Sequence, residues 1–167
     1  MRTITAVVMV LVAGGTTAFV QTESEIRDRI VGTWKLVLTE ETLKDGTTRP
    51  YPDLGPRAKG FLMYQRDGYM CADLVNPDHS KWTDASRPTE NEAIAAGKGT
   101  SAYCGRYEID AAKRQIVHLP DVATNPGYVG SRQIRPYAFE DGRLVFSGTA
   151  DDDPEVARRK IVWEKVQ

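Results

Sequence analysis

Two Asp-Gly pairs constrain this chain more than any other feature. Arg66, Asp67 and Gly68 separate GFLMYQ from YMCADL, and Asp141 and Gly142 separate residues 131–140 from 143–149. Asp-Gly fits the tight type I′ turn of an antiparallel hairpin, so each pair is expected to join two neighbouring strands. Reading outward from these turns, the chain divides into eight strand-length runs at about 33–42, 60–65, 69–74, 101–109, 114–119, 131–140, 143–149 and 159–166. Antiparallel hairpins at regular intervals make an up-and-down barrel pattern rather than a βαβ one. The fold class read from the sequence is therefore all-β, an eight-stranded up-and-down antiparallel barrel.

The connections alternate in length. Those after the second, fourth and sixth strands are tight. Those after the first, third, fifth and seventh are long and rich in Pro, Gly and Asp, beginning with LKDGTTRPYPDLGPRA. Alternate connections of a meander lie at opposite ends, so all the long loops should crowd one rim. A short N-terminal helix, capped by Ser24 and carrying Ile26, Ile30 and Val31 on one side, is expected at the other. A second short helix is expected within PTENEAIAAGKG. Where the first strand begins, Gly32 permits a tight backbone entry and Trp34 supplies a large indole, with Leu36 and Leu38 on the same face.

At 167 residues, 41% of them hydrophobic and 27% charged, the chain is sized for one ordinary domain. Lys and Arg number 22 against 23 Asp and Glu, which gives no electrostatic support to a nucleic-acid partner. Residues 1–18 combine Arg2, an apolar run from Ile4 to Val12 and a small-residue end at Ala18, the layout of a secretory signal peptide. The apolar run is too short to serve as a permanent anchor. The expected organisation is a leader at 1–18 and a single barrel domain at 19–167, periplasmic or secreted, with no stable membrane anchor after cleavage.

Register propagated from the turns assigns the inward faces. Around Asp67 and Gly68, Met63 falls opposite Ala72 and Phe61 opposite Leu74, an apolar inward face that leaves Tyr64 and Cys71 outside. Around Asp141 and Gly142, Phe139 meets Leu144, Tyr137 meets Phe146 and Arg135 meets Gly148, so Arg135 points into the barrel. Tyr103, Gly105, Tyr107 and Ile109 face inward with Ile116 and His118, and His118 is expected opposite Gly105. A guanidinium and an imidazole in an apolar wall are costly unless paired. The partner is either a ligand head group or, for Arg135, an inward carboxylate such as Glu40; His118 can instead be a neutral core histidine held by the hydroxyls of Tyr103 or Tyr107.

Cys71 and Cys104 both face outward on neighbouring strands, so in an oxidising compartment they are expected to form a cross-strand disulfide. They remain free thiols if the register slips. No metal site or cofactor is expected: the two histidines lie in separate segments, and Asp151, Asp152, Asp153 and Glu155 lack the spacing of a calcium loop.

Several stretches resemble the lipocalin-like domain family of the calycin superfamily. They are Val-Gly-Thr-Trp-Lys-Leu (Val31 to Leu36), Asp-Gly-Thr with downstream prolines (Asp45 to Pro52), Lys-Gly-x-Leu-x-Tyr followed by Asp-Gly-Tyr-Met (Lys59 to Met70) and Tyr-x-Gly-x-Tyr (Tyr103 to Tyr107). His118, Gln-x-Arg (Gln133 to Arg135) and a terminal Val-Trp-Glu (Val162 to Glu164) complete the series. The resemblance implies a lipocalin-like barrel and adds Gln133 to the candidate site. Cys71 and Cys104 depart from the family pattern, which has small residues there. The function expected is binding of a small hydrophobic or amphipathic molecule by Phe61, Met63, Leu74, Tyr103, Tyr107, His118, Gln133, Arg135, Tyr137 and Phe146. The alternative is an isomerase or cyclase in which His118 moves a proton and Arg135 or a tyrosine stabilises developing charge.

Overall fold

A computed structural model describes residues 21–79, 81–150 and 152–167, so the expected leader lies outside the described residues. The elements in order are α1 (Glu23–Ile30), β1 (Gly32–Leu43), β2 (Thr48–Arg49), β3 (Lys59–Tyr64), β4 (Tyr69–Val75), α2 (Glu90–Lys98), β5 (Thr100–Asp110), β6 (Gln115–Ala123), a 3₁₀ turn (Pro126–Tyr128), β7 (Gln133–Glu140), β8 (Arg143–Gly148) and β9 (Val156–Lys165). Each strand from β3 onward pairs antiparallel with the next, β1 pairs with β3, and β1 also pairs with β9. Eight strands thus close into a barrel. The two-residue β2 is a flap on the far end of β1.

Helix α1 sits at the end with the tight turns, as the loop lengths require. Its cap is Thr22 rather than Ser24: the Thr22 hydroxyl accepts from the Glu25 amide while the Glu25 carboxylate accepts from the Thr22 amide, a reciprocal capping box that Ser24, already inside the helix, is two positions too late to make. Ile26 and Ile30 are fully buried, and the Trp34 indole donates to the Ile30 carbonyl at 2.7 Å. Polar ties complete the attachment. Arg66 of the β3–β4 turn donates to Asp28, Lys165 of β9 donates to the Arg29 carbonyl, and Arg27 donates to the Tyr107 hydroxyl. The Arg29 guanidinium lies 3.6 Å over the Phe139 ring.

The two Asp-Gly turns differ. Asp141 and Gly142 both have positive φ, 48° and 79°, and make the expected two-residue loop, so Phe139 pairs with Leu144 and Tyr137 with Phe146. At the other hairpin Gln65 donates to the Tyr69 carbonyl, and the loop is the three residues Arg66, Asp67 and Gly68, with Gly68 at φ +94°. Met63 accordingly pairs with Cys71 and Tyr64 with Met70. One extra loop residue exchanges the two faces of β3. Leu62 and Tyr64 are inside at 0% and 1% exposure, whereas Phe61 and Met63, expected in the cavity, are outside at 49% and 37%. Ala72 and Leu74 face inward as expected.

Two further irregularities move polar residues. The β5–β6 turn spans four residues, 111–114, with Arg114 at positive φ, so His118 pairs with Tyr107 and not with Gly105. A shift of two keeps the imidazole inside. Gly105 instead faces Pro120 beside a bulge, where an added Cβ would stand 2.0 Å from the Leu119 carbonyl oxygen. In β1 a bulge at Val37 separates Leu36, opposite Trp163, from Leu38, opposite Val162. Trp34 and Leu36 are buried, but Leu38 turns out, and beyond the bulge Thr39 and Glu41 face in rather than Glu40.

Cys71 and Cys104 are directly opposed across β4 and β5 and are joined by a disulfide on the outer face. The bridge encloses 33 positions of sequence, including the whole β4–β5 connection. A loop of that size restricts the unfolded chain by about 4 kcal/mol in the chain-entropy model. The double variant Cys71→Ser with Cys104→Ser is expected to keep the barrel's far-ultraviolet circular dichroism and to lose about that much unfolding free energy in urea titration.

Candidate functional site

All four long connections meet at one lip. The Lys44 amide donates to the Glu155 carbonyl, Asn76 donates to the Asp53 carbonyl, and Arg57 pairs with Asp78. Below the lip lies a cavity of about 590 Å³ inside the barrel. Tyr51 and Leu54 from the first connection, Lys98 from α2, Tyr128 from the 3₁₀ turn and Asp152 from the last connection surround its entrance. Leu62, Ala72, Leu74, Phe146, Ile161 and Trp163 form its apolar wall.

Of the residues named from sequence, Leu74, Tyr103, His118, Gln133, Arg135 and Phe146 line this cavity. Tyr107 and Tyr137 are buried but do not line it; Tyr107 donates to the Gln65 carbonyl beneath α1, and Tyr137 packs edge-on against Phe139. Phe61 and Met63 are on the outer skin. The sequence reading missed Leu62, Glu41, Ile161 and Trp163, together with Tyr64 just beyond the wall. The three-residue turn hid Leu62 and Tyr64, and the Val37 bulge hid Glu41; the strand alternation of β9 placed Ile161 and Trp163 on one face without a turn to say which.

His118 is 1% exposed and held at both ring nitrogens. The Tyr64 oxygen lies 2.6 Å from Nε2 and the Tyr103 oxygen 2.9 Å from Nδ1. Burial, and secondarily the charge of Arg135, hold its pKa well below the ordinary histidine value, so the ring is neutral and carries one N–H. That proton can be placed. Tyr64 is 1% exposed and its hydroxyl has no other partner among the described residues, so accepting from Nε2 would leave its own O–H buried without an acceptor. Tyr64 therefore donates to Nε2, and Nδ1–H donates to Tyr103.

Arg135 is half-buried in the wall. It donates to the Gln133 side-chain oxygen at 3.3 Å and to the Ile134 carbonyl at 3.2 Å, and among the described residues it has no carboxylate within ion-pair distance. Burial works against its charge, but the oxygens of Tyr103, Tyr128 and Tyr64 around it keep its pKa above the usual arginine value. The expected Glu40 pair does not form, because the bulge places Glu41 inside instead. Glu41 is itself fully engaged, accepting from Arg49 and Arg159, each at 3.0 Å.

A model of the lipocalin-like domain matches residues 31–166. The chain belongs to the lipocalin-like domain family. The lipocalin-like barrel is also similar in structure to wild-type fluorescent protein UnaG, at 15% identity over 83% of this chain and 98% of that one with a TM-score of 0.40. A redesigned β-barrel matches at 12% identity over 84% of this chain and 94% of that one, with a TM-score of 0.37. No curated protein sequence matches it.

Within this lipocalin-like barrel His118 has no ring nitrogen left for a bound molecule, and among the described residues no group of three or more metal-ligating side chains converges. The site therefore offers an apolar hollow, tyrosine hydroxyls and, among the described residues, one wall guanidinium outside any ion pair. The depressed folded-state pKa of His118 also sets a sign. The folded protein binds fewer protons at this position than the unfolded chain, so the stability contribution is complete above about pH 6.5 and is lost as pH falls below it. Below about pH 6.5 this adds a slope of up to about 1.4 kcal/mol per pH unit, expected to be absent in His118→Gln. Nitrogen-15 NMR at about pH 6.5 is expected to show His118 neutral with Nδ1 protonated.

Proposed function

We propose that this lipocalin-like protein is exported and carries a small hydrophobic or amphipathic molecule in its barrel cavity. The observation behind the reading is the cavity itself, about 590 Å³ with an apolar wall and a few polar groups, entered between four long connections. That volume and lining are those of small-molecule sites generally, and an eight-stranded barrel is wide enough to hold one ligand. Nothing in the site favours the proton-transfer alternative, since His118 is occupied on both sides by tyrosines. Two features support export: the leader-like residues 1–18, and a disulfide of the kind that persists in oxidising compartments.

The neutral fluorophore N-phenyl-1-naphthylamine tests the binding reading without presuming a charged ligand. Saturable fluorescence enhancement is expected, weakened about tenfold or more by Ala72→Phe, whose added ring fills the space beside Leu62 and Leu74. Absence of saturable uptake, with no retained mass in native mass spectrometry of the purified protein, would sink the reading.

A further inference from the structure

We propose that the guest is a monoanion, a carboxylate attached to an apolar body, whose acid group seats against Arg135 and the Tyr103 hydroxyl. This rests on the carrier reading above and specifies the chemistry of its cargo. The charges facing the cavity are Glu41, Asp53, Asp152, Lys98, Arg135 and Arg159. Glu41 is bracketed by Arg49 and Arg159, and Arg159 also holds Asp152. Asp53 and Lys98 are exposed at the entrance, where water solvates them. Among the described residues Arg135 is left as the one charge in the wall met only by neutral oxygens, those of Gln133, Ile134 and the neighbouring Tyr103, and a charge withdrawn from water is costly until a counter-charge meets it.

The hydrogen-bond polarity of the wall points the same way. Tyr64 donates to His118 and His118 donates to Tyr103, so the Tyr103 hydroxyl hydrogen is free for an acceptor in the cavity. Burial raises the Tyr103 pKa, which keeps that hydrogen in place at neutral pH. Arg135 and the Tyr103 hydroxyl are thus neighbouring donors facing the cavity, and what they lack is an oxygen anion. One guanidinium balances one negative charge. Its planar fork matches the two oxygens of a carboxylate, whereas a phosphate dianion would bring a second charge for which this wall has no partner.

The experiment compares dodecanoate with dodecanol by isothermal titration calorimetry at pH 7.5, on the wild-type chain and on Arg135→Gln and Tyr103→Phe. A charge-assisted hydrogen-bonded pair predicts dodecanoate tighter by about tenfold or more in the wild type. Arg135→Gln is expected to abolish that preference, the acid losing about tenfold or more relative to the alcohol, and Tyr103→Phe to reduce it several-fold. Equal affinity for acid and alcohol overturns the anion assignment and leaves the carrier reading standing, as does a preference that survives Arg135→Gln. Failure of both dodecyl compounds and of the neutral naphthylamine to bind overturns both. If Arg135→Gln does not fold, the wild-type comparison and Tyr103→Phe decide the matter.

Discussion

The pairing of β1 with β9 is the interaction on which the rest of this structure depends. It joins the first strand of the barrel to the last, so that each of the eight wall strands has a paired neighbour on both sides. Because β1 must reach β3 at its start, β9 along most of its length and the β2 flap at its end, it is also the longest strand. The bulge at Val37 lets one strand do this. It divides β1 into a lower half that contributes Trp34 and Leu36 to the core and an upper half that contributes Thr39 and Glu41 to the polar lip. A strand that alternated without interruption would have turned Leu38 and Glu40 inward instead.

From that closure follows a gradient along the barrel axis. At the bottom, α1, Trp34 and the aromatic contact between Tyr64 and Tyr107 fill the interior solidly. In the middle, the tyrosine–histidine–tyrosine chain lies against Phe146 and beside Arg135. At the top, Glu41 draws Arg49 and Arg159 together, which ties the flap to β9 and fixes the first and last connections beside one another. The hollow occupies the space between a floor made by hydrophobic burial and a lip made by ion pairs. Both ends are specified by residues on β1, β9 and their immediate neighbours.

The sequence made the architecture legible and the site only partly so. Strand count, connection lengths and the closed end could be read because period-two apolar patterning and turn residues act locally. The face assignment of β7 and β8 was equally readable, since Glu140 and Arg143 directly flank the two turn residues. At β3 the same dipeptide sits in a three-residue loop ending in a positive-φ glycine, and both loop types accept Asp-Gly. The dipeptide alone could not separate Leu62 and Tyr64 from Phe61 and Met63. Bulges were harder still: neither Val37 nor the Cys104–Gly105 step announces itself, because a bulge answers to strand coiling and barrel closure rather than to local preference. His118 and Arg135 kept their faces because the β5–β6 shift was two residues and the β7–β8 turn was as read.

The fastening of α1 beneath the barrel closes one end of the cavity as well as adding stability. With Ile26, Ile30 and Trp34 sealing the base and Arg27, Asp28 and Arg29 bound to three separate parts of the wall, no second door exists through the described base. On the proposed carrier reading, a guest enters and leaves through the lip alone, and its residence time belongs to the loops around Tyr51, Lys98, Tyr128 and Asp152 rather than to the strands.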